Sequence, residues 1–318
     1  MNETGGTRAG KTIAVAGASG TIGRAVVREC VSQGYDVAAL VRSDASARLP
    51  ELDGAKTYMV DLSDPTEVVT AMTAFQPDII ISCIASRSGS PKDARKVELD
   101  ANIHLLLGAS GRGASHFILL SAICVQKPKL AFQRAKLDFE AALIKSPIEH
   151  TIVRPTAFFK SLSGQVGRVL KGKPFFLFDD GELTACKPIS DADLARFIVN
   201  QVDNPAARGA VLPIGGPGPA ITLKEQGELL FEAAGREPKF RSVPVLMFSL
   251  AAGFFSLGAW FSDWFAEKAE YARIARFYAT ESMLVLDPHT GEYSAEATPE
   301  FGVDQLFDHY RSLIEAAR

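Results

Sequence analysis

The stretch AVAGASGTIG sets Gly17, Gly20 and Gly23 three residues apart, after an apolar run and before a helical pattern. Glycines in that setting do their chemistry with the backbone. The first permits a tight turn, the second lets N–H groups approach a diphosphate, and the third lets the helix pack closely on the strand. The anion then lies over the positive end of the helix dipole. Ser19, Thr21 and Ile22 fill the same turn and join the glycines as expected cofactor contacts. A second candidate is Lys136 in LAFQRAKLDFE, with Phe132 four residues before it. Positions i and i+4 share a helix face. An ammonium at 136 could donate hydrogen bonds to ribose hydroxyls, whereas the phenyl ring at 132 exchanges no proton.

Which dinucleotide the turn would take is read from the tip of the next strand. NAD sites usually carry Asp or Glu there to hold the ribose 2′-OH. Here the strand ends in Arg42 and Ser43, and a guanidinium suits a 2′-phosphate, so NADPH is the expected cofactor. Asp61, followed by Leu62, is placed either to meet the adenine amino group or to cap the next turn. Cys83, Ile84, Ala85 and Ser121 end later strands, and Pro155, Thr156 and Phe158 follow another. All lie where ligands collect in such sheets. Cys83 reads as a small packing residue rather than a reactive thiol.

The elements that must position these residues alternate. KTIAVAG, DVAALV, KTYMV, PDIIISCIA, HFILLSAICV and HTIVRP read as strands, with helical patterns between them. The runs IIIS, FILL and TIV are apolar on successive positions, as strands covered on both faces should be. The fold class is therefore α/β, a Rossmann-like doubly wound parallel sheet. Residues 11–160 form the expected NADP-binding domain, with residues about 183–215 returning to it, and 161–318 a mostly helical substrate lobe. A loop and hairpin turning at DDG is expected over residues 167–190, then a helix capped by Ser190 and a strand in AVLPIGG.

Composition narrows the chemistry. The formal net charge is −3 and the basic residues are scattered, so no nucleic-acid partner is expected. Cys30, Cys83, Cys124 and Cys186 are far apart without a CxxC, and the five histidines are dispersed. Neither a metal centre nor an iron–sulfur cluster is expected, and reduced thiols fit a cytoplasmic protein. The N-terminal MNETGGTRAG has neither a signal-peptide core nor transit-peptide character. From Ser242 to Ser262 the chain carries no charge, a length that can span a bilayer. Pro244 and the glycines and serines within it favour a buried or half-buried helix lining an apolar site and touching a membrane surface.

The glycine turn, Arg42, Lys136 and the RPTAFF run resemble atypical short-chain dehydrogenases of the NmrA-like and isoflavone-reductase-like groups. More specific are GELTACKPISDADLARFI, LPIGGPGPAITLKEQGELLF, GREPKF and YATESMLVLDPHTGEYS. These resemble the NADPH-dependent 8-vinyl reductases of divinyl chlorophyllide, over about residues 11–310. The resemblance implies reduction of the C8 vinyl group of a 3,8-divinyl (proto)chlorophyllide to ethyl in (bacterio)chlorophyll biosynthesis. It implies a Mg-porphyrin or chlorin substrate and, without a transit peptide, a phototrophic bacterium.

Typical relatives keep a Tyr where Phe132 stands, which exchanges the proton while the lysine holds the nicotinamide ribose. Carbonyl reduction needs an acid beside the developing alkoxide. Vinyl reduction develops no alkoxide, so the missing Tyr disfavours an alcohol dehydrogenase more than an alkene reductase. Phe158, Phe159, Phe254 and Trp260 are the rings expected to line the macrocycle, and Lys160, Arg168 and Lys171 the cations for its propionate. Tyr271, Tyr278 and Cys124 are candidates for the second proton. An NmrA-like NADP-binding redox sensor without turnover, and an isoflavone-reductase-like reductase of small aromatics, are the alternative readings. Oligomeric state is not encoded in these motifs.

Overall fold

The architecture comes from a computed structural model that describes residues 10–258 and 262–317. Six strands run in chain order: β1 (Thr12–Ala16), β2 (Asp36–Val41), β3 (Lys56–Met59), β4 (Ile79–Ser82), β5 (His116–Leu120) and β6 (Glu149–Pro155). The chain then leaves the sheet for β7 (Phe175–Phe178) and β8 (Ala185–Cys186), and rejoins it as β9 (Ala210–Ile214). The resulting sheet is parallel throughout, in the order β3-β2-β1-β4-β5-β6-β9. Strand order reverses between β1 and β4, and the register Ala16↔Ser82 brings their C-terminal ends side by side. Ligands of doubly wound sheets bind at that switch point.

Alternation along the strands explains why helices cover both faces. Ile13, Val15, Ile79, Ile81 and Ile118 face one core, closed by the helices Thr21–Ser32 and Asp191–Asn200. Ala14, Ala16, Ile80, Phe117 and Leu119 face the other, under the helices Pro65–Phe75, Ala101–Ser110 and Ala131–Ile144. The starts of two helices are written locally. Asp64 accepts from Thr66 N–H with Pro65 behind it, and Ser190 accepts from Asp193 N–H.

Beyond β6 a third core gathers Phe175, Leu177, Leu230, Phe231 and Tyr310. The turn at DDG forms, with Asp179 and Gly181 at positive φ, but the expected hairpin does not. Instead β8 pairs antiparallel with β10 (Ile221–Thr222), and β7 pairs parallel with β11 (Phe240–Val243). Packing chooses the partner. The Phe175 and Phe240 rings meet edge to face, and Asp179 N–H donates to the Val243 carbonyl.

After Pro244 the uncharged run forms the helix Leu246–Gly258, and Ser262 caps the next helix, Asp263–Thr280, through Trp264 N–H. Among the described residues no helix is long and apolar enough to cross a membrane. The chain past these helices folds back as a small hairpin of β12 (Val285–Leu286) and β13 (Tyr293–Ser294). Two buried acids fasten this lobe to the sheet domain. Glu270 accepts the Ala131 N–H at 3.1 Å, so an acid meets the N-terminus of the helix Ala131–Ile144. Glu281 takes Lys127, Lys129 and the Tyr293 hydroxyl.

Burial alone would raise the Glu281 pKa, but hydrogen bonds from Lys129, Tyr293 and Lys127 outweigh it and hold the carboxyl below its ordinary range. Because the folded value lies below the unfolded one, this stabilisation is full above the unfolded pKa of about 4.3. It is lost as pH falls through the folded value. Glu281→Gln is expected to lower the unfolding free energy by about 1–3 kcal/mol near neutral pH. Urea midpoints should show that gap closing as the solution is made more acidic than about pH 4. A gap independent of pH would count against the cluster as a source of stability.

Candidate active site

The first turn is crowded by construction. Gly17 has φ 75°, and a Cβ there would lie 2.8 Å from both the carbonyl carbon and oxygen of Cys83. A Cβ on Gly23 would overlap the Gly17 carbonyl oxygen, and one on Gly20 would approach it to 3.2 Å. Gly20 is the N-cap of the helix Thr21–Ser32, with no side-chain cap and no acid in the first turn. The N–H groups at this helix start are therefore left to an external acceptor. A glycine cradle closed against β4, above an uncapped helix N-terminus, fits a dinucleotide diphosphate. Ser19 and Thr21 are half-buried at its rim, while Ile22 turns into the core beneath it.

At the end of β2, Arg42 is exposed and makes no ion pair among the described residues. Asp44, which could have competed for it, pairs with Arg48. The Ser43 hydroxyl caps the short helix Asp44–Ala47. Both roles foreseen for Asp61 are addressed by geometry. One of its carboxylate oxygens accepts the N–H and hydroxyl of Ser63, at 2.9 and 2.7 Å, so the capping role is filled. Those hydrogen bonds chiefly lower its pKa, with the charges of Lys96 and Arg42 adding to them. Arg42 and Asp61 line one groove of about 570 Å³ together with Tyr58 and Thr70. Leu62 packs beside it, its carbonyl held by His104 Nδ1 at 2.9 Å.

Lys136 is buried, and its Nζ lies 2.8 Å from Glu98 Oε2. Glu98 is only 2% exposed and sits in a π-helical turn, Arg95–Asp100. Its other carboxylate oxygen accepts Ser86 N–H, and its carbonyl accepts the Asn102 amide, whose oxygen takes the Ser82 hydroxyl. Lys136 is thus tied to the end of β4 and the loop beyond it. Burial pushes the Cys83 thiol up to about 12 and raises that of Cys124, and the nearby Lys136 charge opposes both rises. Sequence reasoning missed Glu98. The available signal was a carboxylate on an inward stripe, since Ala94, Glu98, Asn102 and Leu105 recur at helical spacing and all are buried.

Phe132 packs with Cys124, Leu130, Ile274 and Phe277, wedged between the loop after β4 and the helix Asp263–Thr280. Gly89, in that loop, has φ 66°, and a Cβ there would lie 2.8 Å from the tip of the Ile274 side chain and 3.7 Å from the Phe132 ring. Ile84 is buried, Cys83 half-buried and Ala85 exposed along the β4 end. Ser121 and Thr156 are buried with their hydroxyls spent on Glu140 and the Lys187 carbonyl, and their N–H groups donate to the Val153 and Ile214 carbonyls. Pro155 ends β6, and Phe158 bridges to Ile189.

The ring candidates separate. Phe159 is 3% exposed in the lobe core, 5.4 Å from the His309 ring centroid, so it supports the lobe from inside rather than lining a ligand. Phe254 is 67% exposed on its helix, and Trp260 lies outside the described residues. Arg168 donates to the Pro174 carbonyl and stacks on Phe176, and Lys171 is exposed. Lys160 reaches the first turn instead, donating to Thr21 Oγ1 at 2.6 Å. Of the proton-donor candidates, Tyr271 lies beside Lys268 on the outer face, whereas the Tyr278 hydroxyl meets the Cys124 thiol. Burial, with Cys124 adding, raises the Tyr278 pKa.

A family profile described as NAD(P)H-binding matches residues 17–205. The divinyl chlorophyllide a 8-vinyl-reductase, chloroplastic, of Cucumis sativus is 46% identical over 95% of this chain and 76% of its own length. Its counterpart in Zea mays is 44% identical over 95% of this chain and 79% of that protein. A crystal structure of an NADPH-dependent quinone oxidoreductase from Escherichia coli, complexed with NADPH, aligns with a TM-score of 0.70. At 17% identity over 95% of this chain and 99% of that one, the likeness is one of fold.

Stranding one charge of the Lys136–Glu98 pair should be costly. Lys136→Met is expected to lose about 3–5 kcal/mol of stability. Adding Glu98→Gln should recover part of that loss, read as urea midpoints in a double-mutant cycle. Strictly additive losses would show that the two side chains are not coupled.

Proposed function

The chain belongs to the divinyl chlorophyllide a 8-vinyl-reductase family, and from that premise we propose that it reduces the C8 vinyl group of a 3,8-divinyl (proto)chlorophyllide to ethyl with NADPH. This is a step of (bacterio)chlorophyll biosynthesis. The observation that carries the reading is the pairing of an intact dinucleotide cradle with a phenyl ring at 132. A carbonyl reductase would lack its acid at that position. A vinyl group conjugated to a macrocycle needs none beside it, because the charge left by hydride addition is delocalised over the ring.

When bound, NADPH supplies the hydride at nicotinamide C4. The chain's own residues bind and orient. Gly17, Ser19, Gly20, Thr21 and Gly23 would hold the diphosphate, Arg42 and Ser43 the 2′-phosphate, and Asp61 and Leu62 the adenine side. Cys83, Ile84, Ala85, Ser121, Pro155, Thr156 and Phe158 would floor the crevice, the last facing the substrate as well. Lys136, anchored by Glu98, would donate to the nicotinamide ribose. The pair is neutral as a whole, so it orients through hydrogen bonds without setting a net charge under the site. A proton on the second vinyl carbon completes the ethyl group.

We also propose a peripheral contact with a photosynthetic membrane. Leu246, Leu250, Phe254 and Leu257 are exposed at helical spacing on one stripe, with exposed Trp264 and Lys268 on the next helix. The residues 161–318 would then form the substrate lobe, with this ridge facing the bilayer.

Incubated anaerobically with NADPH and divinyl chlorophyllide, the protein should shift the pigment's absorption to that of the monovinyl product. An unchanged spectrum with intact pigment would refute the activity and favour an NADP-binding sensor. In flotation with anionic phospholipid vesicles the wild type is expected to rise with the lipid, and Leu250→Ser/Phe254→Ser to remain at the bottom. Equal behaviour of the two would remove the membrane contact.

A further inference from the structure

Lys160 occupies an electrostatically awkward place. Its Nζ donates to the side chain of Thr21, the first residue of the helix Thr21–Ser32. A helix N-terminus carries about half a positive charge, so ammonium and helix repel each other unless something negative joins them. The protein supplies nothing of that kind. The first turn holds no acidic residue, Gly20 offers no capping side chain, and Lys160 makes no ion pair among the described residues. Two positive groups thus meet at a helix start that has neither a capping side chain nor an acidic residue of its own.

The placement of Lys160 is fixed by its neighbour. Phe159 is buried in the lobe core, and its N–H donates to the Ile189 carbonyl at 3.1 Å. The residue that follows such an anchor has little freedom in where its side chain starts. The buried ring, which lines no ligand itself, holds the next residue at the rim of the turn.

We infer that Lys160 is a diphosphate-binding residue, which joins the Thr21–Ser32 helix N-terminus in holding the bridging phosphates of the cofactor. The inference rests on the NADPH reading above and moves Lys160 from the substrate's propionate to the dinucleotide. It also divides the cofactor's charge between two cations. Arg42 stands where only a 2′-phosphate would meet it, a group that NADPH has and NADH lacks. Lys160 stands where the diphosphate common to both would lie.

That division sets the test, which needs no turnover. NADPH and NADH are each titrated by fluorescence into wild type, Lys160→Met, Lys160→Arg and Arg42→Ala. Lys160→Met is expected to weaken both dinucleotides by the same factor, about tenfold, as for a lost charge-assisted hydrogen bond. Lys160→Arg should retain both, and Arg42→Ala should weaken NADPH alone. Unchanged affinity of Lys160→Met for both dinucleotides overturns the inference. So does weakened binding of the pigment, titrated in the same way, at unchanged dinucleotide affinity, which would return Lys160 to the substrate carboxylate. A wild type that binds neither dinucleotide would overturn the cofactor reading as well, and is told apart by that first titration.

Discussion

The close approach between the Gly17 turn and the Cys83 carbonyl is the constraint from which the rest of the site follows. Side by side at the strand-order reversal, β1 and β4 leave no volume there for a side chain. A Cβ at Gly17 or Gly23 would press on backbone, which cannot rotate away as a side-chain tip can. The turn is therefore all backbone, its helix starts without a cap, and its N–H groups stay available. Anion binding is the consequence of a packing requirement.

Beneath that turn the structure resolves a different problem, a lysine that must be both buried and useful. A lone ammonium out of water is expensive, and a partner at 2.8 Å offsets the cost only if the partner's other atoms are satisfied too. Glu98 meets that condition through Ser86, and the π-turn carrying it is held by Asn102 and Ser82. π-turns are uncommon and gather at functional sites, because the extra residue re-aims a side chain. Phe132 completes the arrangement from the same helix face, packing where other reductases place an acid. The lysine and its carboxylate thus share a helix with a ring at 132 that exchanges no proton.

What could be read from the sequence was local. The strands announced themselves by unbroken apolar runs, the glycine turn by its spacing, and two helix starts by Asp64–Pro65 and Ser190. Arg42 needed only its place at a strand tip. The features that escaped depend on partners far along the chain. Glu98 is 38 residues from Lys136, and nothing near either names the other. The choice of β11 over a hairpin for β7 rests on Phe175 and Phe240 meeting across the lobe. Phe158 and Phe159 are adjacent and alike in type, yet Phe159 entered the lobe core while Phe158 stayed beside the sheet. Side-chain type cannot make that distinction; direction does.

Some cations of this protein are buried against a carboxylate, and others stand exposed without one. Lys136, Arg154 and Lys187 are buried or half-buried, and each has a carboxylate: Glu98, Glu140 and Glu300. Such pairs organise the interior, since removing the carboxylate strands its cation in a poorly solvated place. Arg42 and Lys160 are exposed and have no acidic partner among the described residues. Water solvates them at little cost, so no ion-paired carboxylate is required, and Asp61, whose charge Arg42 feels, is already held by Ser63. A cation that must release its internal partner before binding would lose much of what it gains. Arg42 and Lys160 are spared that loss, being among the exposed cations that the fold leaves without an ion pair.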